Sequence, residues 1–135
     1  MAGWLVKTEP DEYSFSDLER DGKTVWEGVK NPLARKNLRE MRPGDNVLVY
    51  HTGIQKAIVG VATVVSEPYP DPKQKDPQAT MIDFESLKRL KNSVPLQTIK
   101  ADKRFAQWEL VRMARLSVMP VAQEHWNLLM KMAGE

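Results

Sequence analysis

Apolar and polar positions along this 135-residue chain predict short strands interleaved with short helices. Trp4 to Thr8 is a compact apolar-rich run, read as a first strand that Pro10 stops. Ser14 or Ser16 then caps a short helix over Asp17, Leu18 and Glu19, which ends at the Asp21-Gly22 turn. Asn31-Pro32 reads as a second helix start, with Asn31 as N-cap and Pro32 at the first helical position. That helix is expected to run to about Met41 and stop before the turn Arg42-Pro43-Gly44-Asp45. Val47 to His51 and Ala57 to Val65 follow as strands, separated by a turn at Thr52-Gly53. The second is apolar on both faces, so it belongs inside a barrel or under helices. Residues 67–79 hold four prolines and form a long loop. Met81 to Leu90 is a strand, Leu96 to Ala101 and Phe105 to Met113 are helices, and Arg115 to Val121 is a strand broken by Pro120. Trp126, Leu129, Met130 and Ala133 share a face of a final helix closed by Gly134. The sum is one α+β domain over residues 1–135, a mostly antiparallel small barrel decorated by short helices.

Composition narrows the chemistry mainly by exclusion. The chain has no cysteine and only two histidines, His51 and His125, which leaves no disulfide, thiolate nucleophile or His-rich metal site. No cofactor or metal is expected. No apolar run approaches a membrane span and no signal-peptide pattern opens the chain, so a soluble intracellular protein is expected, cytoplasmic or, in a eukaryote, nuclear. The net charge of +2 is unevenly spread. Residues 1–27 carry three bases against seven acids, residues 28–42 five bases against Glu40, and residues 86–115 eight bases against Asp102 and Glu109. Two basic segments favour a phosphate-bearing partner, although two solvated faces explain them equally well.

Enzyme readings find little support. Neither a Gly-rich nucleotide loop nor a G-x-S-x-G elbow is present. His51 is a candidate general base with Glu9 as acidic partner, against the commoner use of a strand-end histidine as a structural group. Glu9, Asp11 and Glu12 cluster after the first strand, where an exposed acidic turn is the ordinary explanation. Binding readings fare better. Arg35, Arg39 and Arg42 form one basic stripe on the helix from Pro32, while Leu33, Leu38 and Met41 face the core. Trp26 precedes that helix in a turn with Gly28, where it need not be core. A flat aromatic beside arginines can stack a base while Lys30, Arg39 and Arg42 reach phosphates. Trp4, Trp108 and Trp126 sit in strand or helix patterns and read as core, and His125 reads as structural.

An ordered set of residues resembles the EVE domain family across nearly the whole chain. It comprises Trp4-Leu5-Val6-Lys7-Thr8-Glu9-Pro10, Trp26-Glu27-Gly28-Val29-Lys30-Asn31 with Ala34-Arg35 and Leu38, Gly44-Asp45, Tyr50-His51, Tyr69-Pro70-Asp71, Arg115-Leu116-Ser117-Val118 and Met132-Ala133-Gly134. The resemblance implies a PUA-like pseudo-barrel, related to the YTH domains that read N6-methyladenine in RNA. It also implies a non-catalytic pocket for a flipped-out, modified base in DNA or RNA, such as 5-methylcytosine or 5-hydroxymethylcytosine. Carried over by position, it sets Lys7, Thr8 and Glu9 at the pocket edge and Trp26 as the stacking wall. Asn31 and Arg35 become a polar wall, Tyr50 and His51 close the central strand, and Arg115 and Ser117 complete the rim. Ala79 stands where family members commonly carry a Trp, so a second wall is expected from Tyr69, Met81 or another loop residue. Two further readings stay open: a small-ligand or protein-interaction domain on the same fold, or an enzyme using His51.

Overall fold

A computed structural model describes residues 2–135. β1 (Gly3–Thr8) has Leu5 and Val6 fully buried. α1 (Phe15–Asp21) starts at Ser14, not Ser16. The Ser14 hydroxyl accepts from Asp17 N–H at 3.1 Å and the Asp17 carboxylate accepts from Ser14 N–H at 2.8 Å, a reciprocal capping box. β2 (Lys23–Trp26) occupies a stretch that the sequence pattern assigns to no strand. α2 (Pro32–Glu40) begins as expected, with the Asn31 side chain accepting from Ala34 N–H at 3.0 Å. Its buried face is Ala34, Arg35, Asn37 and Leu38, whereas Leu33 is exposed. Met41, just beyond the last turn, is fully buried as expected.

β3 (Asn46–His51) and β4 (Ala57–Val64) form an antiparallel pair, and β4 is buried on both faces. Within the long loop, Tyr69–Pro70 makes a two-residue strand, β5. β6 (Thr80–Pro95) runs five residues past the expected Leu90, through polar and exposed Lys91, Asn92 and Ser93. Two register shifts along β4 and β6 bend the pair. α3 (Leu96–Ala101) matches expectation. The expected helix over 105–113 divides into a 3-10 turn (Lys103–Phe105) and α4 (Glu109–Arg112), because Trp108 between them is extended. Its indole N–H donates to Pro120 O at 3.0 Å. β7 (Val118–Val121) is shorter than expected and α5 (Gln123–Met132) closes the chain.

Among the described residues six strands form one path, β2-β6-β4-β3-β1-β7, and a seventh, β5, pairs with β6 off it. Every pairing is antiparallel except β1 with β3, which the crossover through residues 9–45 makes parallel. Proline is tolerated in β7 because that strand lies at the edge of the sheet. The α+β, mostly antiparallel architecture with short helices is therefore the one the sequence implies. Among the described residues no ladder joins β2 to β7, so the curled sheet stays open along one seam.

Candidate functional site

A polar cavity of about 520 Å³ lies along that seam. One wall is the end of β1 (Lys7, Thr8 and Glu9) with Ser117, just ahead of β7. The other is Thr24, Val25 and Trp26 of β2, continued by residues 27–30. Glu12 and Tyr13, from the turn before α1, complete it. The location follows from the topology: β2 has no partner on its outer edge, and Lys7 and Thr8 at the end of β1 run beyond the β7 ladder.

Trp26 is only 9% exposed and belongs to the hydrophobic core. This corrects its expected place in a turn outside the core. Its ring packs on Phe84 at 5.3 Å between centroids and receives Tyr13 edge-on at 6.4 Å and 81°. Tyr13 and Trp26 are thus the cavity's two aromatic walls, set at right angles. The expected replacements for the family's tryptophan lie elsewhere: Tyr69 donates its phenol to Asp83 at 2.6 Å, and Met81 is buried on β6. Ala79 is also buried, in a loop whose Asp71 N–H donates to Ala79 O. None of these three lines the cavity.

Polar groups crowd the opposite wall. The Lys7 ammonium donates to Ala114 O at 2.9 Å and lies 5.6 Å from the centre of the Tyr50 ring. Burial pushes its pKa below the ordinary lysine range. The Thr8 hydroxyl donates to Tyr13 O at 2.6 Å, and Glu9 accepts from the Thr52 hydroxyl at 3.1 Å. Tyr13 donates to Asp21 at 2.9 Å, and burial pushes its phenol pKa up. Glu9, Glu12 and Glu27 outnumber Lys7 and Lys30 around the cavity. Such a lining offers acceptors to a ligand's amino group and two cations to a carbonyl or phosphate.

Six of the sequence-derived residues therefore meet here: Lys7, Thr8, Glu9, Trp26, Lys30 and Ser117. Five others named for the pocket lie outside its lining. Asn31 is spent capping α2. Arg35, expected on a basic stripe and in the polar wall of the pocket, is buried, with Nε donating to Val29 O at 2.7 Å and Nη1 to Asp76 at 2.6 Å. It ties the segment before α2 to the 71–79 loop. Tyr50 is buried beneath Lys7, and Arg115 is exposed in the turn before Ser117. His51 is buried, with Nε2 accepting from Phe15 N–H at 2.9 Å and Nδ1 facing Gln55 Oε1 at 2.7 Å. Both ring nitrogens are engaged inside the protein, which is the structural use of a strand-end histidine. Arg39 and Arg42 are exposed at the end of α2, and Arg42 Nη1 donates to the carbonyls of Arg39 and Met41.

The sequence pattern misses Tyr13, Thr24 and Glu27. Thr24 sits two positions before Trp26, the spacing that puts both on one face of a strand, and that is the signal for the unassigned β2. A second groove, of about 420 Å³, flanks β7 beside Trp4, Trp108 and His125. Its indoles are already committed, Trp4 to Asp45 at 3.0 Å and Trp108 to Pro120 O. His125 packs on Phe105 and Trp108, and Nε2 faces Arg104 O, as a structural residue does. Among the described residues no cluster of potential metal ligands occurs, and no helix is long and apolar enough to cross a membrane.

The profile of the EVE domain matches residues 2–132. Thymocyte nuclear protein 1 from Mus musculus is 29% identical over 163 aligned positions, covering 96% of this chain and 72% of its own. The solution structure of Rpa0253 from Rhodopseudomonas palustris is 39% identical and superposes with a TM-score of 0.93 over 99% of this chain and 94% of its own. The human THYN1 protein, solved in complex with 5-methylcytosine-containing DNA, is 26% identical, with a TM-score of 0.91 over 100% of this chain and 99% of its own. The chain shares the PUA-like fold with these proteins.

Proposed function

The chain belongs to the EVE domain family, and from that premise we propose that it binds nucleic acid by holding one flipped-out, modified cytosine in the seam cavity. The observation that carries this reading is the pairing of aromatic walls with a polar wall at the open seam. It occurs in a chain that superposes over its full length on a protein solved with 5-methylcytosine-containing DNA. A base pocket needs flat surfaces for stacking and a few fixed donors and acceptors to read the base edge. Tyr13 and Trp26 supply the first, and Lys7, Thr8, Glu9, Thr24 and Ser117 the second. The carboxylates suit a base that presents an exocyclic amino group, as cytosine does. A methyl or hydroxymethyl substituent adds about 1–3 kcal/mol of discrimination through local contacts, so selectivity over plain cytosine is partial. Lys30 at the cavity mouth, with Arg39, Arg42 and Arg115 on the surface, serves the phosphates. The protein acts as a reader without a chemical step, in the cytoplasm or, in a nucleated cell, the nucleus.

The test is an equilibrium titration of short oligonucleotides carrying cytosine, 5-methylcytosine or 5-hydroxymethylcytosine at one position, at two salt concentrations. Trp26→Phe is the informative variant, because it trims the stacking wall while leaving an aromatic ring in the core. The expected result is tighter binding of a modified oligonucleotide, weakened by salt and losing its base preference in Trp26→Phe. Equal affinity for all three oligonucleotides, unmoved by that substitution, contradicts the reading. The acidic excess around the cavity also favours a second reading, a small-ligand domain. That reading predicts that the free nucleoside 5-methyl-2′-deoxycytidine binds as tightly as the oligonucleotide.

A further inference from the structure

Ile54 is the most exposed large apolar residue of the described chain, at 104% of its reference accessibility. It stands at the tip of the turn between β3 and β4, and that turn is fastened from every side. Thr52 N–H donates to Thr8 O at 2.9 Å, extending the β1–β3 ladder past the cavity wall, and the Thr52 hydroxyl donates to Glu9. Gly53 has φ +78°, and its Cα lies so close to the Glu9 carboxylate that an added Cβ would sit 3.3 Å from both oxygens. The side chain of Gln55 is held at 2.7 Å by His51 Nδ1. Lys56 adopts φ +44°, the one positive φ outside glycine among the described residues, and its carbonyl accepts from Leu96 N–H at 2.8 Å. A β-branched side chain with few rotamers is thus presented to solvent on a stiff support that abuts the cavity residue Glu9. Lys56 and Lys100 border the same tip.

We propose that Ile54 is a wedge that enters duplex DNA beside the cavity and fills the gap left in the base stack when the modified cytosine swings into the seam. Apolar side chains inserted at a base step stabilise the unstacked duplex by replacing the lost stacking contacts. Lys56 and Lys100 lie where flanking phosphates would meet the tip. His51 and Gln55 become positioning residues that hold the wedge. The proposal rests on the base-pocket reading, because a wedge has a role only where a base is extruded.

The experiment compares Ile54→Ala with the wild-type chain on two probes of the same sequence, a duplex of about twelve base pairs and its single strand. Each carries one 5-methylcytosine with 2-aminopurine as its neighbour. On the duplex, wild type raises 2-aminopurine fluorescence as the stack opens. Ile54→Ala loses most of that rise and binds about tenfold more weakly, while Ile54→Leu keeps both. On the single strand, where no stack has to be opened, Ile54→Ala binds within about twofold of wild type. Unchanged duplex binding in Ile54→Ala, or an equal loss on both probes, overturns the wedge. If the single strand binds no better than the same strand with plain cytosine and ignores Trp26→Phe, the pocket reading fails and the wedge falls with it. If that preference persists while Ile54→Ala leaves the duplex untouched, the wedge alone is wrong.

Discussion

Trp26 holds two positions at once, and the difference between them decides how the site should be probed. Its ring is core, packed on Phe84 and Tyr13 and only 9% exposed, while the residue also lines the seam. Truncation to alanine would remove a buried aromatic at a cost of about 3–5 kcal/mol, so lost binding in that variant would not distinguish a damaged pocket from a damaged fold. Lys7 gives a cleaner handle. Burial lowers its pKa, so its positive charge is lost as pH rises before the ordinary lysine range is reached. Affinity for a 5-methylcytosine oligonucleotide should therefore weaken on the alkaline side, before the ordinary lysine range is reached, more steeply in wild type than in Lys7→Arg, whose guanidinium stays charged. Parallel curves for the two proteins would remove Lys7 from the contact set. Arg35 teaches the converse lesson. The helical pattern sets it on the same stripe as Arg39 and Arg42, yet the 71–79 loop folds over it and engages it through Asp76. No periodicity within α2 encodes a partner 41 residues away.

Among the elements, α1 is fixed by a contact that its own sequence does not announce. Phe15, its first residue, lies directly on Gly60 of β4, where any Cβ would collide with the ring. Gly60→Ala should cost about 1–3 kcal/mol in chemical denaturation through this overpacking, with the seam cavity left in place. A neutral substitution would mean that α1 shifts freely over the sheet, and the support it gives to Tyr13 would be in doubt. Elements encoded by neighbouring residues were legible in advance. The Ser14 capping box, Asn31-Pro32 and the doubly buried β4 all follow from local rules. Those that depend on distant partners were not. β2 is four residues whose pairing comes from Phe84 and Ile82 on β6, and the far half of β6 is polar because its outer face meets solvent. The expected helix through Phe105 divides because the Trp108 indole is drawn to Pro120 on β7. The site inherits this division. The pattern predicts the strand β1, and the family resemblance places Lys7, Thr8 and Glu9 at the pocket. Thr24 depends on the strand the pattern does not assign, and Tyr13 reaches the site through its contact with Trp26 on that strand.

At the scale of the molecule, the open seam between β2 and β7 is what gives a curled sheet room for the proposed ligand. A closed barrel would fill that space with ladder hydrogen bonds and core side chains. Here the free edge of β2 and the end of β1 beyond the β7 ladder leave a cavity bounded by aromatic and polar groups. The second groove, at β7, competes for the same role on the other flank, and the tryptophans tell the two apart. Trp26 lines the seam, whereas Trp4 and Trp108 line the groove with their indole N–H groups already donated inside the protein. The most direct measurement is a ¹H–¹⁵N correlation spectrum of the indole N–H groups during titration with a single-stranded oligonucleotide carrying one 5-methylcytosine. A base held in the seam moves the Trp26 signal progressively and to saturation while those of Trp4 and Trp108 stay in place. An unmoved Trp26 signal with shifts at Trp4 and Trp108 would put the ligand in the other groove and contradict the seam as the reading site.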